Sequence, residues 1–365
     1  LGKDMLPKDA SKCAGRARPL PTCAGTQQQA RSPRSRGELV TRRSSRFHGH
    51  PKRQRGTRKL QGITSCCKRA RAAEGFDADA LSAEAVARIF EAKGRPANNP
   101  LIVHVDSAAM ARDCVSAWPS AADQLASAFW PGPLSIVLPK ADSIPDIVTA
   151  GGVTVAVRCP AHPVMRDVLT RCGFPLAAPS ANLSNRVSPT RAQHVSKQLN
   201  GRIPLILDGG ACDVGIESTV IDLTGEVATI LRPGMIGLGQ VRELLGDTQV
   251  ATGPQTGATL KSPGQLPQHY SPKARVVLAG ELWEATLGQA NADAHVISLE
   301  PPAANWDPEK WHEMPSSPDG YARNLYETLH RCDQAGAELI LVQPLPTGAE
   351  WDAIRDRLTR AANEG

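Results

Sequence analysis

Residues 153–157, Val-Thr-Val-Ala-Val, form a strand-length run with almost no polar character, closing on Arg158. So apolar a strand is expected to be buried on both faces of its sheet. Helices must then cover both sides, which points to an α/β protein. The flanking sequence supplies them. Ser82–Lys93 reads as a helix, with Ser82 as N-cap, Glu84 in the first turn, Lys93 and Gly94 at the end, and Val86, Ile89 and Phe90 as its apolar stripe. Leu101–Val105 and Leu134–Leu138 read as strands, and 120–129 as a helix stopped by Trp130-Pro131-Gly132-Pro133. Helices are expected at Pro163–Arg171, Thr190–Leu199 and 237–245, and strands at Pro175–Ala178 and Ile203–Asp208. Thr219–Leu223 and Val227–Leu231 read as a hairpin turning at Thr224-Gly225-Glu226.

Residues 246–272 are rich in Gly, Pro and Thr, and mark a linker. Beyond them, strands at 275–279, 295–298 and 338–342 alternate with helices at 318–334 and 349–363. That pattern predicts a smaller α/β domain on a parallel sheet at 273–365. The first of its helices carries Ala322, Leu325, Tyr326 and Leu329 on one face.

Residues 1–73 are different. They hold 19 Lys and Arg against 3 Asp and Glu, while the rest of the chain holds 23 against 33. The net charge of +6 therefore averages a basic tail and a mildly acidic body. The tail shows no periodicity and is expected to stay disordered. Its composition suits an organelle transit peptide, an RNA-binding arm or non-native coding sequence. Its one aromatic, Phe47, makes stacking on bases a weak expectation. No apolar run reaches the roughly 18 residues of a membrane span, and no secretory h-region is present. Nine scattered cysteines without a CxxC pair read as the thiols of a reduced, intracellular protein, Cys159 as a small buried hydrophobe.

GxxxxGK[ST], GxGxxG, HExxH and GxSxG are all missing. A nucleotide would have to be held by cationic side chains and turn amides. Lys93 and Arg95 offer a point charge and a planar fork suited to polyphosphate, or else complement the helix end. Arg158 closes a buried strand and needs an anionic partner, whether ligand or structural carboxylate. His104 fits a core histidine as well as a ligand, and Ser180 and Asn182 fit a turn as well as a site. No metal-ligand spacing appears, with His48-Gly49-His50 in the tail. Magnesium would arrive with the phosphates.

Taken in order, the pieces resemble the YrdC-like family in its two-domain, threonylcarbamoyl-AMP-forming branch. The resemblance rests on Ala87-Arg-Ile-Phe-Glu-Ala-Lys-Gly-Arg-Pro96, Asn99-Pro-Leu-Ile-Val-His104, Phe129-Trp-Pro-Gly-Pro-Leu134 and Val155-Ala-Val-Arg158. It continues through Ala178-Pro-Ser-Ala-Asn182, Ser188-Pro-Thr190, Asp208-Gly-Gly210, Glu217-Ser-Thr-Val220, Leu231-Arg-Pro-Gly234, Ser262-Pro-Gly264 and His269-Tyr-Ser-Pro272. It implies a twisted mixed sheet with helices, plus a smaller Rossmann-like α/β domain. It implies a reaction of L-threonine, bicarbonate and ATP, with Mg2+, whose product feeds a separate tRNA threonylcarbamoyl transferase. It implies catalytic Lys93, Arg95, Ser180 and Asn182. ATP contacts would fall to Arg95, Asn99, Thr154, Ser180, Ser188, Arg232 and Tyr270, and a threonine pocket to His104, Arg158, Ala178 and Ser218, with 246–272 as a lid. The compartment expected is the cytoplasm, or a mitochondrion or plastid if the tail is a transit peptide. The other function weighed is a catalytically impaired member of the same fold that binds tRNA or double-stranded RNA. The family's Pro-Thr-Glu-Thr-Val-Tyr-Gly-Leu segment, expected to end at Gly75-Phe76, is absent, and residues 69–74 read Arg-Ala-Arg-Ala-Ala-Glu.

Overall fold

A computed structural model describes residues 77–246, 250–253, 260–264, 269–280, 283–289, 293–301 and 306–362. They belong to one compact unit. The expectations for residues 1–73 and for the segment ending at 75–76 lie outside the described residues.

The larger sheet begins with β1 (Ala78–Asp79). Helix α1 (Ala83–Lys93) follows; the Ser82 hydroxyl accepts from the Ala85 amide and Gly94 ends the helix at φ 60°. Next come β2 (Ile102–His104), α2 (Ala108–Asp113), α3 (Ser120–Phe129), β3 (Leu134–Pro139) and β4 (Thr154–Arg158). The half closes with α4 (Pro163–Cys172), β5 (Leu176–Ala177), α5 (Ala192–Leu199), β6 (Thr219–Asp222), β7 (Ala228–Arg232), α6 (Leu238–Leu245) and β8 (Val250–Thr252). The strand order is β1-β5-β2-β4-β3-β6-β7-β8, with parallel and antiparallel pairs mixed. The main core lies on the face carrying Val103, Val155, Val157, Ile136 and Leu138. The other face keeps a small patch of Ile102, Val137, Ala156, Val220 and Leu231. This strand alternation leaves room there for a cavity.

The second sheet is wholly parallel. It joins β9 (Arg275–Leu278), β10 (His295–Ser298), β11 (Trp311–Glu313) and β12 (Leu339–Val342) in the order β11-β10-β12-β9. Its helices are α7 (Trp283–Gln289), α8 (Pro318–Gln334) and α9 (Asp352–Ala362). Ala322, Leu325, Tyr326 and Leu329 of α8 are buried together, as their spacing predicts.

Four expectations need correction. Ile203–Asp208 is irregular, because Pro204 lacks the amide a ladder needs. Val153 is 79% exposed: it sits at the very end of the β3–β4 ladder, where its carbonyl still accepts from the Lys140 amide at 3.0 Å while its side chain is left uncovered. The stretch 246–272 is not only linker, since β8 within it pairs with β7 and forms the sheet's outer edge. Short β1, β11, α2 and α7 were not anticipated, being too brief for a periodic signal.

Candidate active site

The described residues enclose a cavity of about 270 Å³ over the second face of the larger sheet. It opens at the carboxyl ends of the parallel neighbours β2 and β4, where ligands of open α/β sheets collect. His104 pairs directly with Arg158 across those strands, which puts an imidazole and a guanidinium side by side at the cavity wall. Arg158 Nε donates to the Gly132 carbonyl at 3.1 Å. Burial and the Arg158 charge hold His104 neutral, lowering it to about 3. Its Nδ1 has no partner among the described residues.

Helix α1 ends just behind this wall. Arg95 lines the cavity and is fixed from the rear. Its Nε donates to Asn99 O at 3.0 Å, and its Nη2 to Asn99 Oδ1 and Pro100 O at 2.7 Å each. Lys93, buried beneath it, donates to Ser180 O at 2.5 Å, Asn182 O, and Asn182 Oδ1 at 3.3 Å. Burial first and Arg95 second push the ammonium well below its ordinary value. Lys93 thus clamps the loop that presents Ser180. Ser180 Oγ donates to Asn182 Oδ1 at 2.5 Å, and Asn182 Nδ2 to Arg186 O at 2.6 Å.

The opposite rim comes from β6, β7 and the segments beyond. Arg232 ends β7, and its Nε reaches Ser218 O at 3.0 Å, Nη2 reaches Ser218 Oγ at 3.1 Å, and Nη1 reaches Pro263 O at 3.1 Å. Tyr270 is buried at φ 63°, and its hydroxyl has no partner among the described residues. Gly264 at φ 82° lets the chain pass here: a Cβ would meet Tyr270 Oη at 2.6 Å and Arg232 Nη1 at 2.9 Å.

Of the residues expected in the site, Arg95, His104, Arg158, Ala178, Ser180, Ser188, Ser218, Arg232 and Tyr270 line the cavity. Lys93, Asn99 and Asn182 stand behind that lining as its support. Thr154 starts β4, four residues and about 13 Å from Arg158, and is not part of the lining.

One functional group escaped the sequence reading. Glu217 lines the cavity and is the hub of a buried cluster. It accepts from Ser188 Oγ at 2.7 Å, Tyr326 Oη at 2.9 Å and Arg357 Nε at 2.8 Å. Burial alone would raise it, but Arg357, Arg232 and the donated hydrogen bonds outweigh that and bring it to about 2. Tyr326 and Arg357 come from α8 and α9, so the second domain builds part of the wall. A signal existed: Arg357 sits in the apolar stripe of Ile354, Leu358 and Ala361, where a cation needs a partner.

Comparison with known proteins gives the same outline. A family described as "Telomere recombination" (Sua5, YciO, YrdC) matches residues 75–234, and "Threonylcarbamoyl-AMP synthase, C-terminal domain" matches 236–363. Threonylcarbamoyl-AMP synthase of Pyrococcus abyssi is 37% identical over 300 residues, covering 79% of this chain and 87% of that protein. The Schizosaccharomyces pombe synthase is 38% identical over 336 residues, with coverages of 79% and 82%. The crystal structure of P. abyssi Sua5 complexed with L-threonine superposes with TM-score 0.75 at 34% identity, covering 83% of this chain and 94% of that one.

Proposed function

The chain belongs to the threonylcarbamoyl-AMP synthase family, and we propose that it joins L-threonine, bicarbonate and ATP into threonylcarbamoyl-AMP, with release of pyrophosphate and water. One observation carries this reading: a single cavity gathers the cations Arg95, Arg158 and Arg232 with the buried polar atoms His104 Nδ1 and Tyr270 Oη. Buried polar atoms without partners call for a ligand, and three guanidiniums specify an anionic one.

In the proposed reaction the threonine nitrogen bonds to the bicarbonate carbon and water leaves. An oxygen of the resulting carbamate attacks the α-phosphorus of ATP. The bond to the bridging oxygen breaks, and pyrophosphate takes the electron pair. No side chain has to form a covalent intermediate. The residues' work is alignment of two anions and stabilisation of charge on the leaving group. Arg95, with Ser180 beside it, suits the phosphates. Arg158 suits the threonine carboxylate, with neutral His104 as an uncharged hydrogen-bonding neighbour. Lys93, Asn99 and Asn182 hold those groups in register. Mg2+ would arrive with the nucleotide and neutralise phosphate charge; of the carboxylates lining the cavity, Glu217 is committed to Arg357, while Asp77 and Asp213 line it too. Tyr270 and the segments around it would close over the nucleotide. The product would pass to a separate transferase that modifies tRNA. Among the described residues no helix is long and apolar enough to cross a membrane, and the cytoplasm is the proposed compartment.

The test is calorimetric titration of ATP, then of L-threonine with bicarbonate, into the 365-residue chain, followed by a pyrophosphate assay. Binding of both and threonine-dependent pyrophosphate release are expected. A folded chain that binds ATP but not threonine, or neither, would overturn the reading.

A further inference from the structure

The second domain holds a group of ligand-type side chains that the cavity does not touch. His295 opens β10, His312 is the middle residue of β11, and Cys332 lies in the last turn of α8. One nitrogen of each imidazole and the Cys332 sulfur lie within 4.8 Å of one another. All three side chains are buried, at 4%, 6% and 0% exposure. β10 and β11 are parallel neighbours with Ile297 opposite His312, so strand alternation puts both histidines on the face that α8 covers. His295 Nδ1 and His312 Nε2 are 2.9 Å apart and the rings lie 16° from parallel. Two nitrogens bound to one metal stand about 3.4 Å apart, so a small opening of the pair would admit an ion. His312 Nδ1 has no partner among the described residues, so the histidine pair is not a closed network.

We propose that His295, His312 and Cys332 form a binding site for Cu(I). Soft thiolate and imidazole ligands favour Cu(I) and Zn(II), and buried charge decides between them. One thiolate neutralises Cu(I), whereas Zn(II) would leave a net positive charge in a buried site. Three ligands complete a trigonal Cu(I) shell but leave zinc one short of its structural four. Met314 follows the last residue of β11, and its sulfur accepts from Thr328 Oγ1 at 3.5 Å, one turn before Cys332. Binding takes Cys332 as its thiolate, so one proton per ion goes to solvent. The residues are 17 and 20 apart in sequence, a spacing that signals nothing until β10, β11 and α8 meet.

The experiment uses Cu(I) alone, kept reduced and anaerobic, in competition with a chromophoric Cu(I) chelator. The full chain, Cys332→Ser and His312→Gln are compared. Wild type is expected to hold one Cu(I) more than either variant at the same chelator concentration. His312→Gln leaves all nine thiols in place, which separates this site from cysteines elsewhere. Variants that keep the wild-type stoichiometry would overturn the proposal. If a variant does not fold, x-ray absorption of wild type with one equivalent of Cu(I) decides: a shell of two imidazole nitrogens and one sulfur supports the site, and a sulfur-only shell overturns it. Tighter binding of Zn(II) than of Cu(I) in the same competition would overturn the copper assignment.

Discussion

Two buried charged regions stand in and behind the wall of one cavity and solve the same problem in opposite ways. At the first, Lys93, Arg95 and Arg232 donate to carbonyl, amide and hydroxyl oxygens, and among the described residues to no carboxylate. At the second, Glu217 and Arg357 neutralise each other directly, with Asp356 also on Arg357. A buried cation surrounded by neutral acceptors is held in place but only partly compensated, Arg232 by the field of Glu217, so it can still attract an anion. A closed pair has no such capacity. The first region suits an anionic ligand. The second ties the smaller domain to Ser188 at the rim, Arg357 Nη2 also reaching Glu217 O at 3.3 Å.

The strongest way to break this contrast is Arg357→Leu. It leaves Glu217 buried without its partner, and chemical denaturation is expected to show a loss of about 3–5 kcal/mol. The double variant Arg357→Leu/Glu217→Gln should recover part of that loss, because no unpaired charge remains. Equal losses in the single and double variants would show that the pair is not coupled.

Acid should act on both regions next, together with other buried histidines such as His194 and His312, each held at about 4. Glu217 titrates at about 2 in the fold against an ordinary 4.5, so its stabilisation is complete above pH 4.5 and lost as pH falls toward 2. A depression of that size corresponds to about 3 kcal/mol. His104 and His269 are held neutral, at about 3 and about 4 against 6.5. They favour the fold above pH 6.5, and that preference is lost as pH drops toward 4 and 3. The histidine and Glu217 windows overlap between pH 4.5 and 3, so stability should fall continuously from pH 6.5 toward 2, and Glu217→Gln should flatten the part below pH 4.5.

Smaller effects belong to the ligand-facing region. Arg95→Leu removes charge-assisted donors, worth about 1.5–3 kcal/mol, so ATP should bind roughly ten- to 100-fold more weakly in calorimetry. A thermal transition close to wild type would confirm that the loss is in binding. Gly264→Ala forces a side chain into the left-handed region and against Tyr270 and Arg232, costing on the order of 1 kcal/mol. ATP binding should weaken with it. A variant as stable as wild type would show that the Gly264 turn relaxes freely.

Local sequence carried most of the larger domain because its signals are short-range. Ser82 and Gly94 bracket α1 where capping chemistry says they should. Arg158 follows an apolar run, and its need for a partner is visible before any fold is known. Misreadings occurred where a neighbour decided. Val153 matched the strand pattern and its carbonyl still accepts from the Lys140 amide at 3.0 Å, but at the ladder's end its side chain is left 79% exposed. Residues 250–252 read as linker and became a strand because β7 offered a free edge. The site residues divided likewise: the types were legible, but whether a side chain faces the cavity or braces it was not. Lys93 and Arg95 are two residues apart, yet one clamps a loop and the other lines the wall.

The sequence alone determined the α/β class, the two-domain order, the helix ends and the set of cationic and hydroxyl groups available, because caps, periodicity and motif order act over a few residues. Tertiary structure decided which of those groups share one cavity, that Glu217 receives Arg357 from 140 residues away, and that His295, His312 and Cys332 meet at all. Those outcomes depend on which strands pair and which helix covers them, and burial gives each charge its meaning only once that packing exists.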